Sequence, residues 1–144
     1  MTNAAVLLAT ETRTVSVSNK KLWLGRILSA LSILFLLFDS AVKLMKLPPA
    51  VQGTVELGYP PSVIVGLGML LLACVVAYAI PRTSVLGAIL LTGYLGGAIA
   101  SQLRVGNPLF SHILFPIYVA LLIWGGLYLR DHRLRALIPL RVRT

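Results

Sequence analysis

The sequence predicts an all-α integral membrane protein: a four-helix bundle running up, down, up and down, with both termini cytoplasmic. Three observations carry this. Continuous apolar runs at about residues 22–42, 61–80, 85–103 and 113–129 fill most of the 144 residues. Apolar residues make up 58% of the chain and charged residues only 12%, far from the balance of a soluble domain. The basic residues are also shared unequally between the two sides that four crossings create.

A hydrocarbon core about 30 Å thick needs roughly 20 helical residues to cross it. Inside that core every backbone amide must be bonded within the protein, which leaves helices or a closed barrel. The runs are continuous and do not alternate, so they read as helices. Residues 1–19 read as a disordered N-terminal tail, 20–135 as the transmembrane domain and 136–144 as a basic cytoplasmic tail.

The first run follows Lys20 and Lys21, as the core of a signal peptide would. No clean small-x-small cleavage site follows it, and Asp39 interrupts it, so it is expected to be a retained helix. Trp23 and Tyr128 fall at the same interface and suit an aromatic belt. Pro48, Pro49, Pro60 and Pro61 bracket the longest connection, with VQGTVELGY outside the membrane; Pro61 fits a helix start, where its missing amide hydrogen is not needed. Pro81 and Arg82 mark a tight turn that makes spans two and three an antiparallel hairpin.

The third run, GAILLTGYLGGAIAS, places Gly93, Gly97 and Ser101 four apart, with Ala88, Thr92, Gly96 and Ala100 on the next row. Small residues at this spacing let two helix backbones approach closely in lipid. A partner within the bundle is expected for this face. Pro116 is expected to kink the fourth helix toward its outer end.

The formal charge of +9 does not point to nucleic acid. Arg13, Lys20, Lys21, Arg26, Arg82, Arg130, Arg133, Arg135, Arg141 and Arg143 lie on the side of the termini. Lys43, Lys46 and Arg104 lie opposite. This is a positive-inside bias, and the tail LRDHRLRALIPLRVRT reads as an anchor beside anionic headgroups. The single cysteine, Cys74, excludes an internal disulfide and reads as a small packing residue.

Polar groups within spans are costly, so each needs a reason. On the first helix Arg26, Ser29, Ser32, Asp39 and Lys43 share a stripe expected to face the bundle, with Arg26 near enough to the inner surface to reach it. Asp39 and Lys43 stand in the favourable order for a pair on one helix face. The outer ends of the spans also gather Glu56, Tyr59, Ser101, Gln102, Arg104, Asn107 and His112. Asp39, Glu56 and Arg104 read either as a salt-bridge lock closing the bundle or as a binding site for a small anion or polar headgroup. His112 and His132 fall on opposite sides, and no Cys/His constellation, phosphate loop or catalytic triad is legible. No metal site and no catalytic residue is expected.

Three segments resemble the DoxX-like family of small bacterial four-helix membrane proteins. They are GRILSALSILFLLFDSAVKL, the stretch from ELGYPPSV to ASQLRVGNP, and WGGLYLRDHRLRALIP. The block GAILLTGYLGGA followed by RVGNP is the most specific part. The resemblance implies a bundle in the bacterial cytoplasmic membrane and, for some relatives, association with redox enzymes of thiosulfate, thiol or superoxide chemistry. The matching positions are Asp39, Lys43, Tyr59, Tyr94 and Arg104. Relatives often carry histidine where Gln102 stands, and an amide does not titrate.

The expected function is that of an accessory membrane subunit of a redox system, thiol/sulfur- or quinone-linked, without catalytic activity of its own. Asp39, Lys43, Glu56, Tyr59, Tyr94, Gln102, Arg104 and His112 are the candidates to line an outward-opening pocket. No cofactor is intrinsic; a quinone is the one considered, with Tyr94 and Gln102 as partners for its head. Expected partners are the lipid bilayer and a redox enzyme or other membrane protein, with self-association open. Two rivals remain: an assembly factor that binds another membrane protein through the glycine face of the third helix and, more weakly, a small transporter. The transporter needs a polar midplane site that the second and fourth runs do not supply.

Overall fold

The computed structural model describes residues 19–138. Six α-helices follow one another: α1 (Asn19–Leu44), α2 (Pro48–Glu56), α3 (Ile64–Ala79), α4 (Ser84–Arg104), α5 (Phe115–Arg130) and α6 (His132–Leu137). A 3₁₀ turn (Pro61–Val63) leads into α3 and a π-helical turn (Leu109–Ile113) precedes α5. The stretches Asn19–Leu44, Pro61–Ala79, Ser84–Arg104 and Leu109–Arg130 are each long and apolar enough to cross a membrane. Among the described residues there is no strand. The expected tails at 1–18 and 139–144 lie outside the described residues.

The distribution of side chains is that of a protein solvated by lipid. Ser29, Ser32, Ser40, Ser84 and Ser101 are buried, whereas Trp23, Leu34, Phe38, Met69 and Leu121 are exposed. In lipid an apolar side chain gains little by leaving the solvent. The helices are therefore held together by the close packing of a core that includes Leu36, Leu71, Leu91, Ile123 and Leu127 and by the hydrogen bonds of the buried hydroxyls. Among the described residues no buried side-chain nitrogen or oxygen lacks a hydrogen-bond partner.

The spans form a ring in which α1 packs on α5 and α3, α3 on α4, and α4 on α5. Cross-helix contacts fix their directions. Gly25 near the start of α1 lies against Leu129 near the end of α5, and Ser40 near the end of α1 donates to the Gly68 carbonyl near the start of α3 (2.8 Å). Trp124 Nε1 donates to Thr92 Oγ1 across α5 and α4 (2.9 Å). Neighbours in the ring are therefore antiparallel.

The closest helix approaches are not where the sequence places them. A Cβ built on Gly126 would stand 2.6 Å from Ser29 Oγ, and one on Gly87 would stand 2.2 Å from the Tyr78 amide nitrogen. A Cβ on Gly93, Gly96 or Gly97 meets nothing within 4 Å. The α1–α5 seam and the α3–α4 turn thus use single glycines from different spans. Of the expected packing face, Ala88 is buried and Ser101 is buried, but Gly93 and Gly97 stand open.

Three further features concern the connections. The segment VQGTVELGY is largely α2, opened by Pro48 and Pro49 in the first turn, where proline is favoured. Pro116 does not kink a continuous helix: the chain breaks between the π turn and α5, and Pro116 falls in the first turn of α5. At that position its lost amide hydrogen had no helical partner to lose. A division of the chain at 135/136 falls inside α6, which Asp131 caps by accepting from the Arg133 and Leu134 amides.

Candidate functional site: a cavity with a polar end and apolar walls

The open face of α4 leaves a cavity of about 700 Å³ between the spans, at the end away from the α3–α4 turn. Its body is apolar, with Phe35 and Leu36 from α1, Leu67, Leu70 and Cys74 from α3, Leu90 and Leu95 from α4, and Phe115 and Val119 from α5. Its far end is polar. Asp39, Lys43, Tyr59, Tyr94, Ser101, Gln102, Ser111 and His112 gather there, and Thr54 and Leu57 of the α2 segment also contribute to the wall.

Helix spacing explains this end. Asp39 and Lys43 lie one turn apart on α1 and form an ion pair, the only one among the described residues. Lys43 also lies over the Tyr94 ring, 5.9 Å from its centre. The Lys43 side chain is the more buried of the pair, 18% exposed against 37% for Asp39. Ser101 donates to the Gly97 carbonyl (2.9 Å), so the 2.8 Å contact between Tyr59 and Ser101 has the tyrosine as donor. That bond ties the segment after α2 to α4. Asn107 donates to Gln102 Oε1, and the exposed His112 pairs through Nδ1 with Ser111 Oγ (2.7 Å).

Two candidates lie apart from this cluster. Arg104 donates to the Leu57 carbonyl and lies over the Tyr59 ring, 5.3 Å from its centre. Glu56, at the end of α2, is exposed. Neither lines the cavity. A lock of Asp39, Glu56 and Arg104 is therefore not formed: the acid on α1 is neutralised within its own helix, and the arginine spends its donor on a backbone carbonyl. Gly58 permits this arrangement, with φ +80° and the Arg104 Nη2 only 3.0 Å from where its Cβ would lie.

The family model for the DoxX-like family matches residues 27–126, which take in most of each of the four spans and the whole of the cavity wall. The chain belongs to the DoxX-like family. No curated protein and no solved structure matches it. As a DoxX-like protein it is a multi-pass membrane protein, and its four apolar helices are consistent with lipid on all sides.

Several features of this DoxX-like bundle were not anticipated from the sequence. Phe35 and Phe115 meet edge to face, with ring centres 5.5 Å apart. Both stand in apolar runs and carry no sequence signal of their own. Cys74 is buried in the core cluster, as expected of a packing residue, and it also borders the cavity. Tyr78 was legible in principle, since a hydroxyl deep in an apolar run must find a partner. It bridges Ser29 and the Ile123 carbonyl, and Arg130 lies over its ring at 5.1 Å.

Proposed function

We propose that this DoxX-like protein is an accessory subunit of a redox system in the bacterial cytoplasmic membrane, and that its cavity holds a quinone-class ligand. The observation that carries the reading is the cavity itself: one end polar and without net charge, the rest apolar. Among the described lining residues the one lysine or arginine and the one carboxylate, Lys43 and Asp39, neutralise each other, which leaves little surplus positive charge for a doubly charged sulfur oxyanion. A neutral head with two carbonyl groups suits the hydroxyl of Tyr94 and the amide of Gln102, and a hydrocarbon tail suits the leucine and phenylalanine walls. The ligand is held for a partner enzyme, and no chemistry is assigned to the chain itself. The positive-inside bias supports cytoplasmic termini and a polar end that faces outward.

The test is native mass spectrometry of protein extracted gently from its own membranes. A stoichiometric quinone mass is expected, and it should be lost in Tyr94→Phe/Gln102→Leu. An empty cavity together with a copurifying membrane protein would replace this reading with that of an assembly factor. One observation favours that second reading: Gly96 and Ala100 are exposed on the outward side of α4, and nothing lies within 4 Å of a Cβ on Gly96. Such a surface accepts a second helix at short range. Gly96→Leu should abolish copurification if this surface holds the partner.

A further inference from the structure

At mid-span the cavity is lined by residues of α3 and α4 that are also exposed on the outside of the bundle. These two helices are pressed together at their turn, where Gly87 leaves no room beside Tyr78. Farther along, α4 presents Gly93 and Gly97, and both line the cavity with no neighbour in reach of a Cβ. Leu70 of α3 and Leu90 of α4 also line it, and they are 54% and 46% exposed. On the opposite side of the ring Phe35 and Phe115 are also partly exposed, 41% and 45%, but their edge-to-face contact bridges the α1–α5 seam.

Depth decides what this mouth meets. From Leu70 to the end of α3 at Ala79 the helix rises about 14 Å, near the middle of a hydrocarbon core about 30 Å thick. Acyl chains, not water, therefore face Leu70, Leu90 and Gly93. Most polar groups of the cavity lie farther toward the other end, on Asp39, Lys43 and Gln102, with Tyr94 beside Gly93 at mid-span.

We infer that the gap between α3 and α4 is a lateral doorway for a single-chain amphiphile, which enters from the bilayer head first and leaves its chain in the gap. The head has hydrogen-bonding groups and no net charge, matching the neutral Asp39–Lys43 end. The chain lies along Leu70, Leu90 and the bare backbone at Gly93 and Gly97. Glycine is what keeps this passage open, because a larger side chain at either position would project into it. The inference rests on the cavity being a binding site, as proposed above, but not on the head being a quinone.

Two photoreactive probes test it: a benzoquinone and a simple alcohol, each on the same diazirine-bearing alkyl chain, added to the protein in phospholipid vesicles. Crosslinked residues are mapped by peptide mass spectrometry. In the parent protein both probes should mark the buried wall at Leu36, Cys74 or Leu95. Gly93→Leu/Gly97→Leu should lower that deep labelling by about tenfold or more, the scale on which filling an apolar pocket excludes a ligand. Marking of Leu34 and Leu121, exposed on α1 and α5, should not change, which controls for folding and insertion. Leu70→Trp, narrowing the gap from α3, should have the same effect.

Deep labelling that persists in both variants overturns the doorway, as does a parent protein whose deep wall neither probe reaches. If the variants block both probes but a chainless benzoquinone does not displace the benzoquinone probe, the doorway stands and the quinone reading falls.

Discussion

The Tyr78 hydroxyl on α3 lies 3.0 Å from Ser29 Oγ on α1 and donates at 2.9 Å to the Ile123 carbonyl on α5. Its one hydrogen goes to α5, so Ser29 is the donor in the first contact. Both residues are fully buried, and the three spans meet at this oxygen. The contact lies at the end opposite the polar part of the cavity. The bundle is thus pinned at one end and open at the other.

Tyr78→Phe should lower stability by about 1 kcal/mol, the usual worth of a hydrogen bond between spans. Ser29→Ala should cost less, because it leaves the bond to Ile123 in place. Thermal unfolding in one detergent measures both. Equal stability of Tyr78→Phe and the parent would show that the three-span contact is not a fixing point.

Glycines pressed against a neighbouring span should matter more than those that face open space. Gly126→Val drives a side chain toward Ser29 Oγ, 2.6 Å from the new Cβ, and must push α5 off α1. A loss of about 1–3 kcal/mol or more is expected from such overpacking. Gly97→Ala meets open space and should be neutral or stabilising, by up to about 1 kcal/mol of helix propensity. The fraction that stays monodisperse after heating ranks the two, and the reverse order would contradict the seam described for α1 and α5.

The spans were legible because a bilayer demands a long apolar run, and no other local signal competes with it. The inward stripe of Ser29 and Ser32 followed from the cost of hydroxyls in lipid, and both are buried. The fate of Gly93 and Gly97 was not legible. Their spacing says that one helix face is small, not whether another backbone fills the space, and here a cavity does. The Gly25–Gly126 approach joins spans far apart in the chain, so no local pattern announces it. Arg104 misled for a related reason: its charge suggested an acidic partner, while the fold offered it the Leu57 carbonyl and the Tyr59 ring.

At the polar end, the two members of the Asp39–Lys43 pair should respond unequally to mutation. Asp39→Asn leaves a largely buried ammonium without its carboxylate, whereas Lys43→Met leaves a carboxylate that is 37% exposed and can hydrate. The first should therefore be the more destabilising. The double variant should recover part of the loss, with a coupling of about 1 kcal/mol or less given the exposure of Asp39. A double-mutant cycle by thermal unfolding reads this. Strictly additive losses would mean that the pair contributes no interaction.

Arg104→Ala should loosen the segment between α2 and α3 without emptying the cavity. The guanidinium holds the Leu57 carbonyl and covers the Tyr59 ring, but it does not line the cavity. Amide hydrogen exchange over residues 54–60 should quicken, while ligand retention falls only as far as Tyr59 is displaced. Tyr59→Phe, which removes the bond to Ser101, separates the two effects. Loss of ligand in Arg104→Ala greater than in Tyr59→Phe would mean that the arginine itself touches the ligand.

The orientation of the whole assembly has its own test. The proposed topology puts Ser62, at the start of the second span, outside, and Ala136, on α6, inside. Both are exposed, so a cysteine at either position is open to a reagent on its own side. In a Cys74→Ser background, Ser62→Cys should react with a membrane-impermeant maleimide in intact cells, and Ala136→Cys only after lysis. Neither substitution changes a Lys or Arg, so the charge bias that sets orientation is preserved. The opposite pattern would place the polar end of the cavity in the cytoplasm, and its partner enzyme would then have to be sought on that side.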